Sequence, residues 1–165
     1  MALSDTFIDE LTREAATTRR VLERVPEDKL TWRPHAKSMS LGQLALHIAQ
    51  TPGGVAELIS ETPREAPRFV QAEATSRDEV LSALDNSIAA AKSKLSGWDD
   101  ADLMNDWALM RDGKKLMAVP RIGMVRSIML NHWYHHRGQL LVYLRLLDLP
   151  VPSVYGPSAD ENPFN

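Results

Sequence analysis

The chain has no cysteine among its 165 residues. That absence excludes disulfides, cysteine-bearing zinc knuckles and cysteine nucleophiles together. Any metal must be held by nitrogen and oxygen, and any thiol chemistry needs a thiol brought in from outside. Long apolar runs are also missing. No window approaches the roughly 18 uninterrupted apolar residues of a membrane helix, and the opening stretch MALSDTFIDELTREAATTRR turns polar too soon for a secretory signal. The sequence therefore predicts a cytoplasmic protein with no membrane partner. Nor is charge of one sign concentrated anywhere: 19 basic and 22 acidic residues are well mixed, giving a net charge of −3. Without a Lys/Arg block or a basic stripe interleaved with aromatics, nucleic-acid binding is disfavoured.

What is present is enough apolar material, 44% of residues, for one sizeable core, so a single domain over residues 1–165 is expected. Four long helices are legible. Leu3, Phe7, Leu11, Ala15, Thr18, Leu22 and Val25 recur at three- and four-residue spacing before Pro26, which predicts a first helix over 3–25. Ser40 stands as an N-cap before LGQLALHIAQTPGGVAELIS, where Pro52-Gly53-Gly54 predicts a kink or break near Thr51. A Pro-containing connector over 61–75 leads to Ser76 and Glu79 at capping-box spacing, and the third helix runs to Gly97. The stretch from Trp98 to Val119 has no helical period. Within it WALM and KLMAV flank Arg111-Asp112-Gly113-Lys114, a hairpin or irregular excursion. Pro120 admits the last helix, RIGMVRSIMLNHWYHHRGQLLVYLRLL, and a tail with four prolines is expected to be extended.

Three of the five histidines fall between positions 132 and 136. At roughly 100° per residue, His136 lies about 40° from His132 on the face turned to the bundle interior, with Gln139 and Tyr143 on the same stripe. His132 and His136 thus form an i, i+4 pair, by which one helix gives two nitrogens to one metal. His47 sits on or beside the inward stripe of the second helix, so a third nitrogen is available. A lone inward histidine is more often a hydrogen-bonded core residue than a ligand. Three of them on two helices are harder to account for, because each buried imidazole carries a desolvation cost. His135, toward the flank, is also at feasible i, i+3 spacing from His132. His35, in the loop WRPHAKSMS, fits a turn-stabilising role. Gln43 and Gln139, each one turn from a proposed ligand, are candidates for contact with the histidines or a substrate.

The run HWYHHRGQLLVYLRLLDLPVPSVYGPSADE, with WRPHAKSMSLGQLALHIA before it, resembles the DinB-like family of four-helix metalloenzymes over almost the whole chain. The resemblance implies an all-α, up-down-down-up four-helix bundle. It also implies a divalent metal, often nickel or zinc, held by one histidine of the second helix and an HxxxH pair of the last. Those positions are His47, His132 and His136, which favours His136 over His135. Relatives in this family include metal-dependent thiol transferases and a mycothiol-dependent maleylpyruvate isomerase; the name does not imply DNA binding.

Three neutral imidazoles leave at least one coordination position open, as in catalytic rather than structural sites. Such a site can activate water or ionise a thiol. The expectation is a metal-dependent enzyme, a thiol-dependent S-transferase using a low-molecular-weight thiol, with a metal-dependent hydrolase or a non-catalytic metal-stabilised scaffold as alternatives. No carboxylate accompanies the pair at HExxH-type spacing, so a general base for metal-assisted peptide hydrolysis is not visible. Trp133, Leu141 and Leu144 lie away from the histidine face. Together with the resemblance, that surplus apolar surface predicts a homodimer, with the tail as the alternative cover.

Overall fold

The first helix, α1 (Leu3–Leu22), buries Phe7, Leu11, Thr18, Val21 and Leu22. It ends a turn before the expected Val25 because Arg24 and Val25 bond to the carbonyls of Val21 and Leu22, the tighter three-residue pattern that commonly closes a helix. These and all following details come from a computed structural model that describes residues 2–68 and 70–164. Phe69 of the expected connector and Asn165 of the tail lie outside the described residues.

The second helix, α2 (Leu41–Leu58), starts at a reciprocal capping box of Ser40 and Gln43. Of the kink or break expected near Thr51, the break does not occur, for the helix continues through Pro52, Gly53 and Gly54. Proline removes only one donor here, and the first glycine serves packing. A Cβ on Gly53 would stand 2.8 Å from both Cα and the carbonyl oxygen of Ser87, whose hydroxyl accepts the Gly53 N–H at 2.8 Å. Gly53 is thus a point of close approach to α3 (Arg77–Ser96). That helix is capped by Ser76 and closed by Gly97, as expected. Only half of its anticipated capping box forms: Glu79 turns its carboxylate to the backbone N–H and hydroxyl of Thr75.

Between α3 and the last helix come α4 (Asp100–Met104) and a three-stranded sheet of β1 (Arg64–Glu65), β2 (Asp106–Arg111) and β3 (Lys114–Pro120). The five-residue α4 was not expected, since one turn cannot display a period. Asp99 and Asp102 cap it reciprocally. The hairpin forms where it was expected: β2 and β3 are antiparallel, and Asp112 and Gly113 both have positive φ, 50° and 74°, as a two-residue primed turn requires. The connector adds an unforeseen parallel strand, Arg64 opposite Leu109. Trp107, fully buried, donates its indole N–H to the carbonyl of Glu61 and ties the sheet to the end of α2.

The last helix is continuous but not uniform. A turn of α5 (Arg121–Met124) passes into a π-helical stretch over Val125–Asn131, and α6 (His132–Leu146) follows without a break. A uniform 100° wheel therefore holds from His132 onward but not for Val125, upstream of it.

Helix directions follow from pairs of contacts. Arg19 of α1 pairs with Asp85, and Glu27 just past α1 accepts the backbone N–H of Arg77, so α1 and α3 are antiparallel. Ser40 beside Glu73, Gly53 beside Ser87 and Glu57 beside Lys94 make α2 and α3 parallel. Tyr143 reaches the carbonyl of Met39 while Arg121 reaches that of Ile59, so the last helix is antiparallel to α2. Glu10 with Arg126 and Glu14 with Arg137 align it with α1. The bundle is up-down-down-up.

The tail is extended and packed on the bundle. Pro152 and Ser153 are buried, Glu161 accepts the Ser153 N–H and pairs with Arg20, and Asp160 pairs with Arg145. The expected surplus on the last helix is corrected here. Trp133 and Leu144 are both 0% exposed and belong to the protein's own core, and Leu141 is half-buried against it, because α1, α2 and the tail together cover a wide arc of α6. The apolar residues that α6 does expose are Val142 and Leu146, at 58% and 57%. Among the described residues, no helix is long and apolar enough to cross a membrane.

Candidate metal centre

His47 lies mid-way along α2, and His132 and His136 lie in the first turns of α6, directly after the π-helical stretch. Antiparallel packing of α2 and α6 brings them together. The Nε2 atom of His132 is 3.2 Å from that of His47 and 3.1 Å from that of His136. One ligand atom from each residue lies within 4.8 Å of the others. The three rings stand nearly perpendicular to one another, with interplanar angles of 82°, 89° and 85°.

Two of the rings are oriented from behind. Nδ1–H of His47 donates to Oε1 of Gln71 at 3.0 Å, and Nδ1–H of His136 donates to Oε1 of Gln139 at 2.7 Å. A ring that spends its proton at Nδ1 presents a bare lone pair at Nε2, the tautomer a metal needs. Two lone pairs therefore face His132 across about 3 Å, and a single N–H at its Nε2 is the most that nitrogen can place between them. The cluster is rich in acceptors and short of hydrogens, which fits a cation. The distances fit as well. Nitrogens about 2.0–2.1 Å from one ion stand about 2.9 Å apart at a right angle and about 3.3 Å apart at the tetrahedral angle.

Electrostatics act in the same direction. Burial is the largest cause lowering the pKa of all three imidazoles below the usual 6.5, and a neighbouring imidazole lowers each further. All three are thus neutral at neutral pH, and neutral imidazole is the ligating form. Among the described residues the cluster holds no carboxylate.

The other sequence candidates fall outside the cluster. His135 is exposed, its ring centroid 5.1 Å from that of His136 on the solvent side, so the choice left open by spacing falls to His136. His35 accepts the Lys37 backbone N–H at 3.1 Å in its exposed loop, the turn role expected for it. Gln139 contacts a histidine as anticipated. Gln43 instead caps α2 and donates to the backbone carbonyl of Gln71 at 3.2 Å. Gln71 was missed. It lies in the connector, 24 residues from His47, where no periodicity could relate the two.

Residues 1–163 match the DinB family. The chain belongs to that family. This DinB-family chain is 26% identical over 163 residues to the uncharacterized protein YrdA of Bacillus subtilis, a match spanning 95% of this chain and 90% of YrdA. In fold it is similar to a DinB-like protein from Bacillus cereus ATCC 10987, with a TM-score of 0.70, 24% identity and coverage of 92% of this chain and 97% of the other. It is also similar to the DinB-like protein YjoA of Bacillus subtilis, with a TM-score of 0.69, 18% identity and coverage of 91% and 96%. At these identities the solved structures support the fold alone.

Proposed function

We propose that this DinB-family protein is a divalent-metal-dependent enzyme that uses a low-molecular-weight thiol in an S-transfer reaction, with nickel or zinc as its metal. The observation that carries the reading is the convergence of three histidines, from two helices, with no carboxylate among the described residues to close the coordination sphere. A structural site is normally completed by a fourth protein ligand, whereas a three-ligand site keeps a place for substrate. When bound, the ion supplies Lewis acidity at that open place, enough to ionise a thiol at neutral pH.

The chain's own residues hold and orient. His47, His132 and His136 bind; Gln71 and Gln139 fix ring direction. Thiol transfer is favoured over HExxH-type peptide hydrolysis, which places a carboxylate base beside the metal; among the described residues the cluster has none. The lack of cysteine means that no internal thiolate competes for the metal. Titrating the cobalt- or nickel-substituted protein with a thiol should change its ligand-field spectrum. A spectrum indifferent to thiol and to azide would mean a closed site, and the protein would then be a metal-stabilised scaffold joining α2 to α6.

A further inference from the structure

The orienting partners of metal-bound histidines are commonly carboxylates, backbone carbonyls or water. Here both are side-chain amides. The connector had a carboxylate available two positions on, at Glu73, but that group is engaged with the Ser40 hydroxyl at the start of α2. Gln71 is fixed from several directions: its Nε2 donates to the carbonyl of Ala72, its own carbonyl accepts from Gln43, and its Oε1 faces His47. With neutral ligands and neutral partners, a divalent ion keeps its full double charge.

Resting on the metal reading above, we propose that Gln71 and Gln139 are positioning residues with two effects. They hold His47 and His136 with Nε2 toward the ion, and by being uncharged they make the open position select an anion, a thiolate or similar small anion, over a neutral ligand. A carboxylate in either place would do the first task equally well and would oppose the second, because a negative charge one imidazole away partly neutralises the ion.

The test uses the full chain loaded with cobalt and four variants, Gln71→Leu, Gln139→Leu, Gln71→Glu and Gln139→Glu. Gln139 is exposed, so its variants keep the fold and keep the test decisive should changes at Gln71 disturb the connector. In competition with a chelator, the leucine variants should lose about 10–100-fold in metal affinity and the glutamate variants should recover it. In visible-spectrum titrations the glutamate variants should bind azide about tenfold more weakly than wild type, with affinity for neutral imidazole unchanged. Leucine variants that hold cobalt as tightly as wild type, or glutamate variants that bind azide as well as wild type, would overturn the inference while leaving the metal site intact. Wild-type protein that takes up no cobalt would instead overturn the metal reading itself.

Discussion

Two adjacent glycines in α2 should respond to the same substitution with opposite sign. Gly53 and Gly54 both sit inside a continuous helix, where alanine is worth about 1 kcal/mol more than glycine. At Gly54 a new Cβ would meet nothing within 4 Å, so Gly54→Ala should stabilise by most of that amount. At Gly53 the Cβ would stand 2.8 Å from two backbone atoms of Ser87, which cannot swing aside as the end of a side chain would. Forcing a methyl into such a contact typically costs about 1–3 kcal/mol. With the helix-propensity gain set against it, Gly53→Ala should destabilise by up to about 2 kcal/mol. In a domain of this length 1 kcal/mol moves the Tm by about 2–4 °C, so the two variants should separate by several degrees on either side of wild type. Thermal unfolding followed by circular dichroism, with chelator present and protein concentration fixed, removes metal linkage and association from the comparison. Equal upward shifts would refute the close packing of α2 on α3. A loss of stability in Gly54→Ala would refute helix continuity past Pro52, on which the placement of His47 depends.

The metal reading predicts that protein purified without chelator retains about one equivalent of nickel or zinc by elemental analysis, and that the His132→Ala, His136→Ala double variant retains none. The pH dependence has a definite sign. Burial holds the three folded-state histidine pKa values below 6.5, so below that pH the unfolded chain binds more protons than the folded one. Stability of the metal-free protein should be full above neutrality and fall as pH drops through 6.5 toward the folded values. Urea midpoints across that range check it, and replacing all three histidines with glutamine should flatten the slope. The homodimer expected from the sequence is a proposal with a revised surface, the exposed Val142 and Leu146 of α6. Light scattering should give twice 18.5 kDa, and Val142→Glu with Leu146→Glu should halve the mass; a concentration-independent single-chain mass in wild type would sink it.

The long elements were legible because their signals are local. Ser40, Ser76 and Gly97 mark helix ends through their own side chains or lack of one, and the Asp112-Gly113 turn needs only two residues with positive φ. The inward face of α6 was legible from His132 onward, where an unbroken α-helix makes i and i+4 neighbours. Signals that depend on tertiary context misled. Pro52-Gly53-Gly54 reads as a breaker in isolation, yet the bundle uses the missing side chain of Gly53 for close approach to Ser87. Trp133 and Leu144 read as surplus on a wheel, because the wheel does not show how far the tail and two helices wrap around α6. Gln71 lay beyond any local rule. Its role arises only when the connector folds back over the start of α2.

Two polar groups one residue apart on α6 show how a structural role differs from a candidate site. Arg137 is 1% exposed, and both terminal nitrogens of its guanidinium have partners. Glu14 pairs with it at 2.6 Å, Thr18 accepts from it at 3.1 Å, the Tyr155 hydroxyl accepts from it at 2.6 Å, and the rings of Tyr134 and Tyr155 lie against it. A buried charge that is paired and hydrogen-bonded in this way calls for no further molecule. His136, next to it on the helix, has its rear nitrogen answered by Gln139, and its Nε2 faces the Nε2 of His132 across 3.1 Å, where one N–H at most can serve the whole cluster. Repacking the helices would not cure that shortage of hydrogens, whereas a cation cures it at all three rings together. The bundle therefore spends the Arg137 face on joining α1, α6 and the tail, and leaves the His136 face chemically incomplete where α2 and α6 meet.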